Sequence, residues 1–277
     1  MNRALDENTI PTPQELRAAA LSWLIETRPE AKAAGVQALA GAWTQGCIAL
    51  APDNVLLPTG PVPGRPDRPE LVPPTALTTR SMATTFGRAA LIHALSHIEY
   101  NAINLALDAV WRFSGMPRDY YADWLTVAAE EALHFSLLSA HLQTLGFRYG
   151  DFSAHNGLWE MAERTQDDVL SRMALVPRTL EARGLDATPA VRAKLAQAGE
   201  HAAAAILDKI LADEIGHVAI GNRWFAWLCA QRGLEPGAAY AELAKRYRAP
   251  QLHGPFNLEA RRAAGFSETE LAALVRS

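Results

Sequence analysis

Cysteine is almost absent from this chain of 277 residues: Cys47 and Cys229 lie far apart and belong to no C-x-x-C pair. Reduced thiols in a cytoplasmic protein are therefore the expectation. Positive charge is not in excess either. With 26 Lys and Arg against 30 Asp and Glu, the net charge is −4 and the pI about 6.1, so general nucleic-acid or anionic-membrane binding has no electrostatic footprint. Long apolar runs are also missing. Residues 33–52 carry no charge but include Gly35, Gln37, Gly41, Gln45 and Gly46, which reads as a packed helix and not a membrane span. The first residues lack the basic-then-apolar layout of a signal peptide. There is no Gly-rich phosphate loop, no Gly-x-Ser-x-Gly elbow and no cysteine nucleophile arrangement.

Hydrophobic residues make up 49% of the chain, enough for a substantial core in one large globular body. Strand alternation is absent and helical periodicity is everywhere, so the fold is expected to be all-α. Two amphipathic helices are predicted at 14–27 and 30–47, the first opened by Thr12-Pro13 and the two separated by Arg28-Pro29. Eight of the 17 prolines fall in 52–74, which excludes a regular helix or central strand there. Composition leaves open whether that connection wraps the body or merely links it. Helices follow at 79–113 and 118–145, then an extended crossover at 146–157. A third helix is expected at 158–183, where Pro177 forces a kink or bulge. Thr188-Pro189 reads as the start of another helical stretch, which Gly199 divides from the last long helix, ending near 232. A short helix near 236–246, a turn-rich segment and a final short helix complete the tail. The organisation expected is an N-terminal helical segment (1–51), a proline-rich connection (52–78), a helical bundle (79–233) and a helical tail (234–277).

Three carboxylates stand out within this pattern. Glu99, Glu131 and Glu214 each occupy an apolar stripe where Leu or Ile is expected. Glu99 sits among Ile92, Leu95, Ile103 and Val110, Glu131 among Trp124, Val127, Phe135 and Leu138, and Glu214 among Leu207, Ile210, Val218 and Trp224. A lone buried carboxylate costs several kcal/mol or takes up a proton. A pair of divalent cations relieves all three at once.

The spacing sharpens that reading. Glu131 and His134 form one Glu-x-x-His, and Glu214 and His217 form a second, 83 residues on. Positions i and i+3 lie about 60° apart on one helix face, so each pair aims a carboxylate and an imidazole at one spot. Glu131 follows Glu99 by 32 residues, and Glu214 follows Glu181 by 33. A Glu from each of two helices plus Glu-x-x-His from two more is the ligand set of dinuclear carboxylate bundles. Glu181 is preferred as the third-helix ligand, because the hairpin spacing repeats and Pro177 one turn earlier supplies a distortion common at functional sites. Glu160 is the rival, placed level with Glu214 if a hairpin turn occupies 184–188. Glu130 and Asp213 precede the two ligand glutamates, pointing about 100° away toward a neighbouring helix. Glu130 is suited to hold the far ring nitrogen of His217 and Asp213 that of His134, although ordinary surface acids are an equal reading. His93 and His97 share another helix face and read as core or surface histidines; His155, His201 and His253 have no evident partner. Tyr100, Tyr121 and Tyr149 read as packing residues.

The stretches at 97–113, 130–135, 157–160, 172–184 and 213–221 resemble the ferritin-like di-iron carboxylate superfamily. More closely, they are similar to a bacterial ferritin-like branch of unknown function, distantly similar to tRNA-modifying di-iron hydroxylases. The resemblance implies a four-helix bundle with a dinuclear site at Glu99, Glu131, His134, Glu181, Glu214 and His217. It implies two iron ions as cofactor, with Mn or Zn as alternatives. The expected function is that of a non-haem di-iron oxidase or hydroxylase acting with O2 or peroxide on a small-molecule substrate, with an electron-donor protein as partner and a homodimer possible. An iron-handling, ferroxidase-like protein without organic substrate is the alternative, and a structural metal site a third.

Overall fold

The computed structural model describes residues 15–276, and among these the chain is helical with no β-strand. No helix of the described residues is long and apolar enough to cross a membrane. The first helix, α1 (Leu16–Leu24), is capped by Glu15, whose carboxylate accepts from the Arg17 and Ala18 amides at 3.0 and 2.8 Å. The expected Thr12-Pro13 start lies outside the described residues. Pro29 opens α2 (Pro29–Thr44) at the first helical turn, where its missing N–H costs nothing.

The proline-rich connection wraps the bundle. Buried Arg17 donates to the carbonyls of Pro52 and Asn54 and, across to the helix that follows the connection, to Trp111 O at 2.7 Å. Buried Lys32 spends its three donors on Leu24 O, Gly64 O and Asn104 Oδ1 (3.2, 3.1 and 2.5 Å). Gly64 is required there, since a Cβ would sit 2.0 Å from Ile25 O. Farther along, Val72 N–H donates to Ala154 O and Ala154 N–H to Glu70 O. Backbone that proline bars from regular structure is thus held by side chains and by paired amides.

Two long helices, α3 (Thr85–Arg112) and α4 (Arg118–Thr144), form a hairpin across a short turn. α3 begins at Thr85 and not at 79, because Thr84 turns its hydroxyl onto the Gly87 amide and Ser81 O fills the space a Cβ at Gly87 would need. The expected third helix at 158–183 is in fact broken. It comprises α5 (Gly157–Arg164), α6 (Val169–Leu175) and a π-helical stretch, Val176–Glu181. Asp168 makes the break by capping α6, and buried Arg172 holds it closed, donating to Thr165 Oγ1, Ala162 O and the Asp108 carboxylate. Pro177 brings no N–H to the ladder, and Thr179 Oγ1 bonds Ala174 O at 2.8 Å, so the expected distortion takes π form. Gly221 of the facing helix leaves room for it, since a Cβ there would lie 2.5 Å from Pro177 Cβ.

No turn occurs at 184–188. Instead α7 (Ala182–Gln197) runs straight through Pro189. The Leu185 carbonyl that Pro189 cannot serve receives Asn257 Nδ2 at 3.2 Å instead, so the tail compensates for the proline. Gly199, at φ +84°, makes the turn into α8 (His201–Gln231). The tail carries α9 (Pro236–Arg246), α10 (Leu258–Ala263) and α11 (Glu268–Arg276). It is clamped back by Arg261 on Asp186 and by Glu270 on Arg178 of the π stretch.

Apolar packing falls into layers. Ile92, Leu138, Leu142, Leu207 and Ile210 form one buried cluster; Ile103, Val127, Ala128, Trp224 and Phe225 belong to a larger one. On α3, α4 and α8 the residues between these layers are Glu99, Glu131, His134, Glu214 and His217, and all are buried.

The interior lysine gives the fold a pH signature. Burial first, then the nearby Arg65 charge, pulls Lys32 down from 10.5 to about 7. The folded chain therefore holds this proton less tightly than the unfolded one, so the Lys32 contribution to stability should rise with pH between about 7 and 10.5, by at most about 1.4 kcal/mol per unit. Urea unfolding across that range is expected to show this slope in the wild type and its loss in Lys32→Met; an unchanged slope would refute the assignment.

Candidate metal centre

The two Glu-x-x-His pairs face each other across α4 and α8. Glu131 and His134 are one turn apart on α4, and Glu214 and His217 one turn apart on α8. Glu99 reaches them from the middle of α3. Ligand atoms of Glu99, Glu131, His134 and Glu214 all lie within 4.8 Å of one another. Glu131 is central: its Oε2 lies 3.4 Å from His134 Nδ1 and its Oε1 3.0 Å from His217 Nδ1, one carboxylate oxygen toward each ring. Glu99 Oε2 is 3.3 Å from His134 Nδ1, and Glu214 Oε1 is 3.6 Å from His217 Nδ1.

Both imidazoles turn Nδ1 inward and Nε2 outward. His134 Nε2 meets Asp213 Oδ2 at 2.8 Å, and His217 Nε2 meets Glu130 Oε2 at 2.7 Å. The acid on α8 holds the ring on α4, and the acid on α4 holds the ring on α8. A carboxylate on Nε2 holds a proton there, so Nδ1, which faces the acids, is the nitrogen that would give up its proton to a metal. Lys209, one turn before Asp213 on α8, donates to the same Oδ2 at 2.7 Å. The signal for that lysine in the sequence is its i, i+4 spacing to Asp213.

Glu181 ends the π stretch. Its Oε2 is buried with no hydrogen-bond partner, although the residue as a whole is partly exposed. Burial, then the charges of Glu214 and Glu131, hold its carboxyl well above the usual range. Glu160, the rival for the third-helix position, is exposed on α5. The break at 165–168 separates α5 from the π stretch, so the hairpin register that would have raised Glu160 to Glu214 does not form.

Electrostatics here are uncompensated. Burial and the Glu131 charge push Glu99 up to about 8, against the pull of His134. Burial lowers His134, but its contacts with Glu131 and Glu99 outweigh that and raise it to about 11. His217 is likewise raised, its contacts with Glu130, Glu131 and Glu214 overcoming burial. Among the described residues no Lys or Arg pairs with Glu99, Glu131, Glu181 or Glu214. Glu99 Oε2, Glu181 Oε2 and His217 Nδ1 are all buried without a hydrogen-bond partner. Glu99, Glu131, His134 and Glu214 could together hold metal, which would neutralise acids and give the unpartnered buried atoms a partner.

Two other histidines, His93 and His97, stand apart on another face of α3. Burial lowers both His93 and His97 to about 4. His97 Nδ1 is 2.8 Å from Tyr149 OH, and His93 Nε2 accepts from the Gly150 amide. Tyr100 and Tyr149 pack there, while Tyr121 OH caps the Phe113 carbonyl at 2.9 Å.

Removing one of the orphaned acids should separate folding from binding. Glu181 holds its proton more tightly folded than unfolded, so ionisation near neutral pH opposes folding, and this penalty fades as pH falls toward 4.5. Glu181→Gln should stabilise the metal-free chain at pH 7.5 by roughly 1–3 kcal/mol, with the gain vanishing near pH 4. Chemical denaturation at both pH values decides; a destabilised variant at pH 7.5 would show that the ionised carboxylate is already satisfied.

Residues 25–272 match the family model described as "Protein of unknown function (DUF455)". An uncharacterized protein of Haemophilus influenzae is 51% identical over 223 residues, covering 78% of this chain and 77% of that one. No solved structure matches the chain. The match to the family model takes in every buried acid and histidine of the centre, and the chain belongs to that family, DUF455.

Proposed function

We propose that this centre is a ferritin-like dinuclear iron site, and that the protein is an oxidase or hydroxylase using O2 or peroxide on a small-molecule substrate. The observation that carries the reading is Glu131, which turns one oxygen toward each inward-facing Nδ1. A carboxylate so placed, with an imidazole on either side, would hold metal together with both rings. Glu99 beside His134, Glu214 beside His217, and Glu181 would complete the set of residues that hold the two ions. Iron held by these residues would supply the electrons for reducing O2, and a separate donor protein would restore them.

The chain's own contribution is positioning and exclusion of water. Asp213 and Glu130 fix ring orientation and keep Nδ1 available. Apolar layers above and below, with Ile92 and Leu138 on one side and Ile103 and Ala128 on the other, shield the acids from solvent. Such shielding strengthens charge interactions within the site and protects reactive species from water.

Anaerobic reconstitution with Fe(II) should load about two irons per chain, and admitting O2 should produce a change in visible absorbance. His134→Ala and His217→Ala should each reduce the loading. Failure to bind iron, or binding with no reaction toward O2, would defeat the oxidase reading. Accumulation of many ferric ions per chain would favour iron handling instead.

A further inference from the structure

The two halves of the centre match in their inner residues but differ in their outer ones. Around His217, the outer carboxylate is Glu130, 40% exposed, whose only ion-pair contact among the described residues is that histidine. Around His134, the outer carboxylate is Asp213, and a single oxygen of it is shared between His134 Nε2 at 2.8 Å and Lys209 Nζ at 2.7 Å. Lys209 lies near enough to feel the charge of Glu130 through space, but it makes contact with Asp213 alone. A carboxylate on the far ring nitrogen raises the donor strength of the near one. An ammonium on that same oxygen withdraws the effect, and it also brings positive charge toward the ion.

We propose that Lys209 is a positioning residue that makes the two metal positions unequal, so that the position served by His134 holds its ion less tightly than the one served by His217. This inference rests on the dinuclear reading above. An exchangeable ion beside a firmly held one gives the site a fixed order of loading, with the Lys209 side filled last and emptied first.

Lys209 is 44% exposed at its side chain, and its removal leaves no buried group unpaired, since Asp213 keeps His134. Metal-free protein is titrated with Co(II) under anaerobic conditions, following the visible bands and bound metal by competition with a chelator. The wild type is expected to bind in two steps, with His134→Ala abolishing the weaker step and His217→Ala the tighter one. In Lys209→Met the weaker step should tighten by about three- to ten-fold while the tighter step changes less; Lys209→Arg should restore the wild-type pattern. Asp213→Asn should weaken the same step and remove the effect of Lys209→Met, as a double-mutant cycle shows. Equal constants for the two steps in the wild type, or two ions bound with constants unchanged in Lys209→Met, would overturn the role of Lys209 and leave the dinuclear reading intact. Fewer than two Co(II) per wild-type chain would defeat the dinuclear reading itself.

Discussion

Charge repulsion among carboxylates inside an apolar bundle is the constraint around which the molecule is arranged. Among the described residues Glu99, Glu131, Glu181 and Glu214 converge with no lysine or arginine paired to them, and the two histidines available cannot neutralise four acids. In water such acids would be unremarkable. Between layers built from Ile92, Leu138, Ile103 and Val127 each is costly, because the surroundings respond weakly to charge. Elsewhere in the chain buried charges are compensated locally: Asp108 by Arg172 and Arg112, Asp186 by Arg261, and Arg17 by backbone carbonyls. Among the described residues the layer between the two apolar clusters keeps an excess of buried negative charge, and that contrast marks it as the candidate metal centre.

Two braces hold the layer in place. The first is the exchange between α4 and α8, in which each helix supplies the acid that orients the other's imidazole. Because Asp213 and Glu130 lie one residue before Glu214 and Glu131, any slide of one helix along the other would loosen both rings together. The second brace is the tail. Arg178, in the π stretch that ends at Glu181, is held by Asn222 of α8 at 2.6 Å and by Glu270 of α11, and stacks near Phe225, Tyr240 and Phe266. Glu181 is the one acid of the group not set on regular α-helix, and it is the one that the C-terminal segment supports.

Much of the candidate centre is legible in the sequence. Glu131, His134, Glu214 and His217 were legible because an ionisable residue in an apolar stripe contradicts its surroundings, and because i, i+3 spacing has one geometric meaning on a helix. Pro177 announced a distortion, since a missing N–H must disturb the hydrogen-bond ladder. Other features were hidden for a different reason. The break at 165–168 depends on Asp168 as a cap and on Arg172 reaching Asp108, a contact 64 residues away in the chain. The passage of α7 through Pro189 depends on Asn257, 72 residues distant from the carbonyl it serves. The wrapping of the proline-rich segment depends on Lys32 and Arg17, which look like ordinary helix-surface cations until the bundle closes over them.

Local pattern alone therefore determined the helical class, the long helices and the identity of the acids and imidazoles that face inward, because periodicity acts within one helix. Tertiary structure decided which ring nitrogen faces the acids, which outer carboxylate holds which histidine, that Lys209 touches only one of them, and that Glu160 faces solvent. Those outcomes arise where separate helices meet, and their register is set by the packing of side chains that no single segment contains.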